Sequence, residues 1–201
     1  MSSSLMSASE HPLDGIPTRG LADAGPVSRA FKDAGCATLR DAFEHVWRLP
    51  YGRNSDPADP MAPLADQRGT CSTKHALLAR LAAEQRFDVE LRIGIYRMHE
   101  SNTPGVGPVL QANGLEAIPE AHCYLVRDNT MIDLTRDTNV GAEPIDTFLH
   151  EETIEPDQVG DFKRNLHRGF LQEWASTRDA AGHTPERLWE IREQCIAALS
   201  S

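Results

Sequence analysis

Three residues of different types, spread over sixty positions, could do chemistry together: Cys71, His122 and Asp133. Cys71 stands in "RGTCSTKHALLARLAAE", residues 68–84, where a helical spacing begins. If Gly69 or Thr70 caps that helix, Cys71 lies in its first turn. Unpaired N–H groups and the positive end of the helix dipole favour a thiolate there. A thiol nucleophile needs a base, and the base needs a group that orients it. His122 in "AHCYLV" and Asp133 in "MIDLT" qualify by register. With Asp128–Asn129 as a two-residue turn, Arg127 pairs with Thr130, Val126 with Met131, Leu125 with Ile132 and Tyr124 with Asp133. His122, Tyr124 and Asp133 then share a face, with Asp133 diagonal to His122 at roughly 7–8 Å between backbones. A three-residue turn would invert the parity and send Asp133 to the other face. Against this stand plainer roles: a packed cysteine, a core or surface histidine, and an aspartate that closes a strand.

Other residues could complete such a site. His75 lies one turn after Cys71 on the same helical face, as a second base or as packing. Gln67 is a possible side-chain donor to an oxyanion, beside the Cys71 backbone N–H. Tyr51, Arg53 and Asn54 belong to a long loop, where an arginine would suit an anionic substrate group. Glu120 precedes His122 by two positions and would bind a cationic group or face solvent. Cys71, His75, His122 and Asp133 together resemble a zinc ligand set. No second close ligand pair supports it, so no metal and no cofactor are expected. His122 and Cys123 point to opposite faces of a strand, which assigns Cys123 to the core.

The elements that must position these residues follow from periodicity. Leu39, Phe43 and Val46, with Ala42 and Trp47 beside them, mark one face of a helix that Pro50 ends. Residues 50–66 hold four prolines and form a loop. A helix over about 70–85 buries Leu77, Leu78, Leu81 and Ala82. "FDVELRIGIYRM" alternates as a strand, with Val89, Leu91, Ile93 and Ile95 on one face. Residues 98–119 are rich in Gly, Pro and Asn and read as a second loop. Phe162, Leu166, Phe170 and Trp174 mark a helix, and Thr184 followed by Pro185 starts another. The expected class is α+β, a nucleophile helix packed on an antiparallel sheet with extra C-terminal helices. Residues 1–26 lack periodicity and read as a flexible tail or a surface arm. Residues 27–201 read as a single domain.

Composition excludes several classes. The chain has 201 residues and a formal net charge of −10, which argues against nucleic acid and anionic membrane as partners. No apolar run reaches the roughly 18 residues of a membrane helix. The N-terminus has no basic and apolar pattern of a secretory signal. The four cysteines (Cys36, Cys71, Cys123, Cys195) are widely spaced and are expected as free thiols in a cytoplasmic protein. Oligomeric state is left open.

"GTCSTKHALLARLAAE", "VELRIGIY", "AHCYLV" and "MIDLT" together resemble the core of the transglutaminase-like superfamily, within the papain-like cysteine hydrolase fold. The resemblance covers about residues 66–136. In that family a Cys opens a helix, a His sits in a strand and an Asp in the next strand, often with Thr two positions later. The matching positions are Cys71, His122, Asp133 and Thr135. Members often carry an aromatic after the His and another before the Asp, where this chain has Cys123 and Met131. The resemblance implies a cysteine-dependent acyl-transfer enzyme acting on an amide or related carbonyl of a peptide, protein or small molecule. The alternative is a binding or scaffold module on the same fold.

Overall fold

The computed structural model describes residues 7–8, 11–136 and 142–199. Its elements in chain order begin with β1 (Ser7–Ala8), α1 (Pro26–Asp33), α2 (Leu39–Arg48), α3 (Ala62–Ala65) and α4 (Cys71–Glu84). They continue with β2 (Glu90–Met98), α5 (Gly107–Ala112), β3 (Ile118–Arg127), β4 (Thr130–Ile132) and β5 (His150–Thr153). α6 (Asp161–Trp174) and α7 (Pro185–Ala198) follow. The class is α+β, and the strand order is β1-β4-β3-β2-β5. By contacts the chain forms two compact units, and the division runs within β2 and β3. No helix among the described residues is long and apolar enough to cross a membrane.

The first unit comprises residues 1–92, 123–137 and 153–159. α4 is its centre, touching α1, α2 and α3. Leu77, Leu78 and Leu81 of α4 and Phe31, Leu39, Phe43 and Val46 of α1 and α2 are all fully buried. α2 begins on a capping box, in which Thr38 accepts from the Asp41 amide and Asp41 accepts from the Thr38 amide. α1 takes its cap from far away. The Val27 and Ser28 amides donate to the Glu84 carboxylate at 3.0 and 2.6 Å. The approach is close enough that a Cβ on Gly25 would collide with Glu84. Of the stretch 1–26, residues 1–6, 9 and 10 lie outside the described residues. Within residues 11–26, Leu13, Ile16 and Leu21 are buried, and Arg40 and Arg127 donate to the Leu13 and Gly15 carbonyls. β1 runs parallel to β4.

The hairpin joining β3 to β4 has the register the sequence predicts, with Leu125 opposite Ile132, Val126 opposite Met131 and Arg127 opposite Thr130. Asp128 and Asn129 take φ of 48° and 60°, the left-handed pair of a type I′ turn. Asn and Asp tolerate that region better than other non-glycine residues.

The second unit comprises residues 93–122, 138–152 and 160–201. α5, α6 and α7 pack together, α7 meeting both of the others. Their core includes Met98, Leu110, Ile118, Leu171, Leu188 and Ile191. β5 follows a crossing at Gly94, where the missing Cβ leaves room for the Phe148 ring. β1, α1, α3, α5 and β5 were not expected. α1 is short and depends on Glu84 for its cap, α5 is a six-residue helix opening on Gly-Pro, and β5 reads "HEET" with no apolar alternation. Each is held by contacts distant in sequence, which periodicity does not carry.

Candidate functional site

Cys71 is the first residue of α4 and is 7% exposed. Thr70 caps the helix in an extended conformation (φ −89°, ψ 172°). Its hydroxyl accepts from the Thr73 amide, and the Thr73 hydroxyl accepts from the Thr70 amide at 3.0 Å. This reciprocal pair occupies donors that would otherwise be orphaned at the helix start. Gly69 is required by packing. A Cβ there would come within 2.9 Å of Lys74 Cγ and 3.1 Å of Thr73 Oγ1. "GTC" is therefore a spacer, a cap and a first-turn thiol.

The proline-rich loop is tied to this helix start by its backbone. Tyr51 bridges Gly69, the Gly52 amide donates to the Gly69 carbonyl at 3.1 Å, and the Gly69 amide donates to the Pro50 carbonyl at 3.1 Å. Asn54 is fully used in the same task. It donates to Asp66 and to the Arg68 carbonyl at 3.1 and 2.8 Å, and accepts from the Thr73 hydroxyl at 2.6 Å. The Ser55 amide, with Asn54 and the Ser55 hydroxyl, holds the Asp66 carboxyl below the usual range. Gln67 sits at φ 52° and turns its amide onto the Leu64 carbonyl at 2.6 Å. Arg53 is exposed.

Asp133 leaves β4 at the start of a segment that α4 and α2 hold by the backbone. The Leu134 amide donates to His75 Nε2 at 2.8 Å. That nitrogen is therefore unprotonated, and His75 Nδ1 carries the proton it donates to the Cys71 carbonyl at 2.8 Å. His75 is fully buried and neutral, with both ring nitrogens engaged. Asp133 Oδ1 lies 3.7 Å from His75 Nε2, too far for a hydrogen bond and facing a lone pair. That oxygen instead accepts from the Thr135 amide at 2.9 Å.

Lys74 completes the tether. Its buried ammonium donates to the carbonyls of Leu49, Thr135 and Trp47 at 2.6, 2.9 and 3.4 Å. Burial pulls its pKa down to about 8; Asp133 holds it up, Arg136 adds to the fall, and Cys71 holds it up. Trp47 Nε1 donates to the Arg136 carbonyl at 3.1 Å, and the Arg136 guanidinium stacks over Tyr51 at 4.3 Å. Sequence reasoning passed over Lys74, Trp47 and Arg136 in this role. One signal was present. Lys74 precedes Leu77, Leu78 and Leu81 by three, four and seven positions, so it lies on the buried stripe of α4.

In the second unit His122 is 5% exposed, with its ring edge-on to Tyr96 at 6.0 Å. His122, Tyr124 and Val126 alternate along β3 with Ala121, Cys123 and Leu125, and every one of them is buried. Glu120, on the His122 side of that strand, receives both its hydrogen bonds from Arg192, each at 2.6 Å. The carboxylate is thus neutralised within its own unit. Burial pushes its pKa up, and Arg192 with His167 behind it more than reverses this, to about 2. The four cysteines are free and buried.

Set against known proteins, the chain matches no family model, no curated protein and no solved structure.

Proposed function

We propose that this protein is a cysteine-dependent acyl-transfer enzyme with a transglutaminase-like, papain-like core. Cys71 attacks an amide or related carbonyl, forming a C–S bond as the carbonyl oxygen takes the negative charge. His122 pairs with the thiol and then protonates the departing amine, while Asp133 orients His122. Water or an amine cleaves the thioester, giving hydrolysis or transamidation. The Cys71 amide, at the helix start, is the backbone donor for the oxyanion.

The observation that carries this reading is local to the first unit. Cys71 opens a capped helix whose next turn, through Lys74 and His75, fixes the backbone that follows Asp133. The even turn of the β3–β4 hairpin supports it further, since the shared parity of His122 and Asp133 depends on that turn.

The test is the pH profile of iodoacetamide labelling, mapped to Cys71 by mass spectrometry. An imidazole-paired thiolate reacts well below the free-thiol pKa of about 8.5. Wild type is expected to label at Cys71 near pH 6, and His122→Gln to shift the profile towards that of a free thiol. A wild-type profile already centred on the ordinary thiol value would overturn the assignment and leave a binding module as the better reading.

A further inference from the structure

Two consecutive residues beyond Asp133 carry buried polar atoms that no described residue satisfies: Thr135 Oγ1 and Arg136 Nη2. Their neighbours make this unusual. The Thr135 carbonyl is held by Lys74 and the Arg136 carbonyl by Trp47, so the backbone at both positions is fixed. The guanidinium lies over the Tyr51 ring at 4.3 Å, which fixes its plane as well. Among the described residues no carboxylate forms an ion pair with Arg136. Of the cations described above, Lys74 is matched by three carbonyls and Arg192 by Glu120; among the described residues Arg80 Nε is the other guanidinium nitrogen left unmet, without a neighbouring unmet hydroxyl in sequence.

An N–H of a charged guanidinium, withdrawn from water and left without an acceptor, costs free energy that a folded protein ordinarily recovers by pairing it. A hydroxyl left the same way adds to that cost. A stacked guanidinium with an unmet donor, next in sequence to an unmet hydroxyl, offers the groups that would receive an acceptor of two oxygens and negative charge. Two cations, Lys74 and Arg136, lie close enough to repel, with the Asp133 carboxylate also beside Lys74.

We propose that Thr135, Arg136 and the Tyr51 ring form a seat for a carboxylate on the small molecule that this protein binds. Taken with the reading of Cys71 as nucleophile, on which this extension rests, the substrate class becomes an acyl or amide compound bearing a free carboxylate. The anchoring arginine is then Arg136, not the exposed Arg53 of the loop.

The experiment is calorimetric titration of the full chain with N-acetylglycine and its neutral counterpart N-acetylglycinamide. It is run in wild type and in Cys71→Ala, so that binding is read without turnover. N-acetylglycine is expected to bind at least tenfold more tightly than the amide in both proteins, in keeping with a charge-assisted hydrogen bond. Arg136→Gln should remove that preference, and Arg136→Lys should keep part of it because the charge remains. Arg29→Gln, at an exposed arginine far along the chain, should leave it intact. Equal binding of the two compounds, or a preference that survives Arg136→Gln, overturns the seat and leaves water as its occupant. If Arg136→Gln does not fold, Arg136→Lys and Tyr51→Leu decide, since each must reduce the preference. A preference present in Cys71→Ala alongside an ordinary thiol profile in wild type would sink the nucleophile and keep the seat.

Discussion

The two units each bury a charge, and they treat it differently. In the second, Glu120 meets Arg192 in a two-bond ion pair, with His167 bonded to the neighbouring Pro119 carbonyl at 2.8 Å. Charge cancels charge, and the geometry joins α7 to β3. In the first, Lys74 meets no carboxylate of the described residues in a direct bond, but three backbone carbonyls. Those carbonyls belong to the end of α2 and to the segment after β4. The ammonium therefore organises backbone around the start of α4 while its positive charge persists near Cys71 and Asp133. A neutralised pair is a fastening. A charge held by dipoles is a fastening that also sets a local potential, and it belongs to the unit that holds the cysteine at a helix start.

The difference is sharpest when each partner is removed. Arg192→Met leaves Glu120 buried without its hydrogen-bonded partner, and breaking a buried pair from one side costs about 3–5 kcal/mol. The sign of the pH dependence follows. In wild type Glu120 is held near 2, below its unfolded value, so its pairing stabilises the fold above that unfolded value and is lost as pH falls towards 2. In the variant burial, the largest influence, raises the carboxyl against only the weaker pull of His167 and Lys163. The penalty should then be largest at neutral pH and shrink in acid as Glu120 takes up a proton. Urea unfolding of Arg192→Met at pH 7 and pH 4 measures this, and the double change Glu120→Leu with Arg192→Met should restore most of the loss. An equal penalty at both pH values would mean that Glu120 is not desolvated.

Lys74→Met asks the same of the first unit. It removes a charge without exposing an opposite one, but leaves three carbonyls without their donor. The expected loss is about 3 kcal/mol, from unsatisfied acceptors rather than from an unpaired ion. It should also slow Cys71 alkylation at low pH, because a nearby cation favours the thiolate. Arg192→Met, matched to the same stability by mild denaturant, should not change the alkylation profile. If both variants alter it equally, the distinction between fastening and potential fails.

What the sequence disclosed divides along the same line. The helix start at Cys71, the hairpin register and the cap at Thr184 are local: each is set by residues a few positions apart. The apolar periods of α2 and α4 were legible for the same reason. Lys74 was not, although it lies on the stripe of Leu77, Leu78 and Leu81, because a lysine in an apolar stripe is ordinarily read as a break and not as a buried donor. Its acceptors lie 25, 27 and 61 positions away. Glu120 and Arg192 are separated by 72 positions, and nothing in either local pattern announces the other. Asn54, Gln67 and Glu120 were proposed for substrate and are engaged by protein groups, the first two around α4 and the third with Arg192. Residue type suggested a donor or a charge; only the fold shows which of them are already spent.

The smallest expected effect isolates the dipole-held charge. Lys74 has a folded pKa of about 8, below its unfolded value of about 10.4. Between those values the unfolded chain binds more protons, so the contribution of Lys74 to stability rises as pH rises through that window. The neutral amine can still donate to two of its carbonyls, so little is lost when the proton leaves. Direct bonds to carbonyls also favour the ammonium, which places the gain at the low end, about 1 kcal/mol. Buried thiols oppose it in total stability. The Cys195 thiol, pushed up to about 11 by burial and by Glu120, loses its contribution across an overlapping range. The quantity to measure is therefore the difference between wild type and Lys74→Met, by urea unfolding at pH 7.5, 9 and 10.5. That difference should grow with pH, while the difference between wild type and Arg192→Met, whose pair is already fully ionised, should stay level over the same range. A Lys74 difference that falls with pH would mean that the carbonyls outweigh burial and that the ammonium is the form the fold prefers.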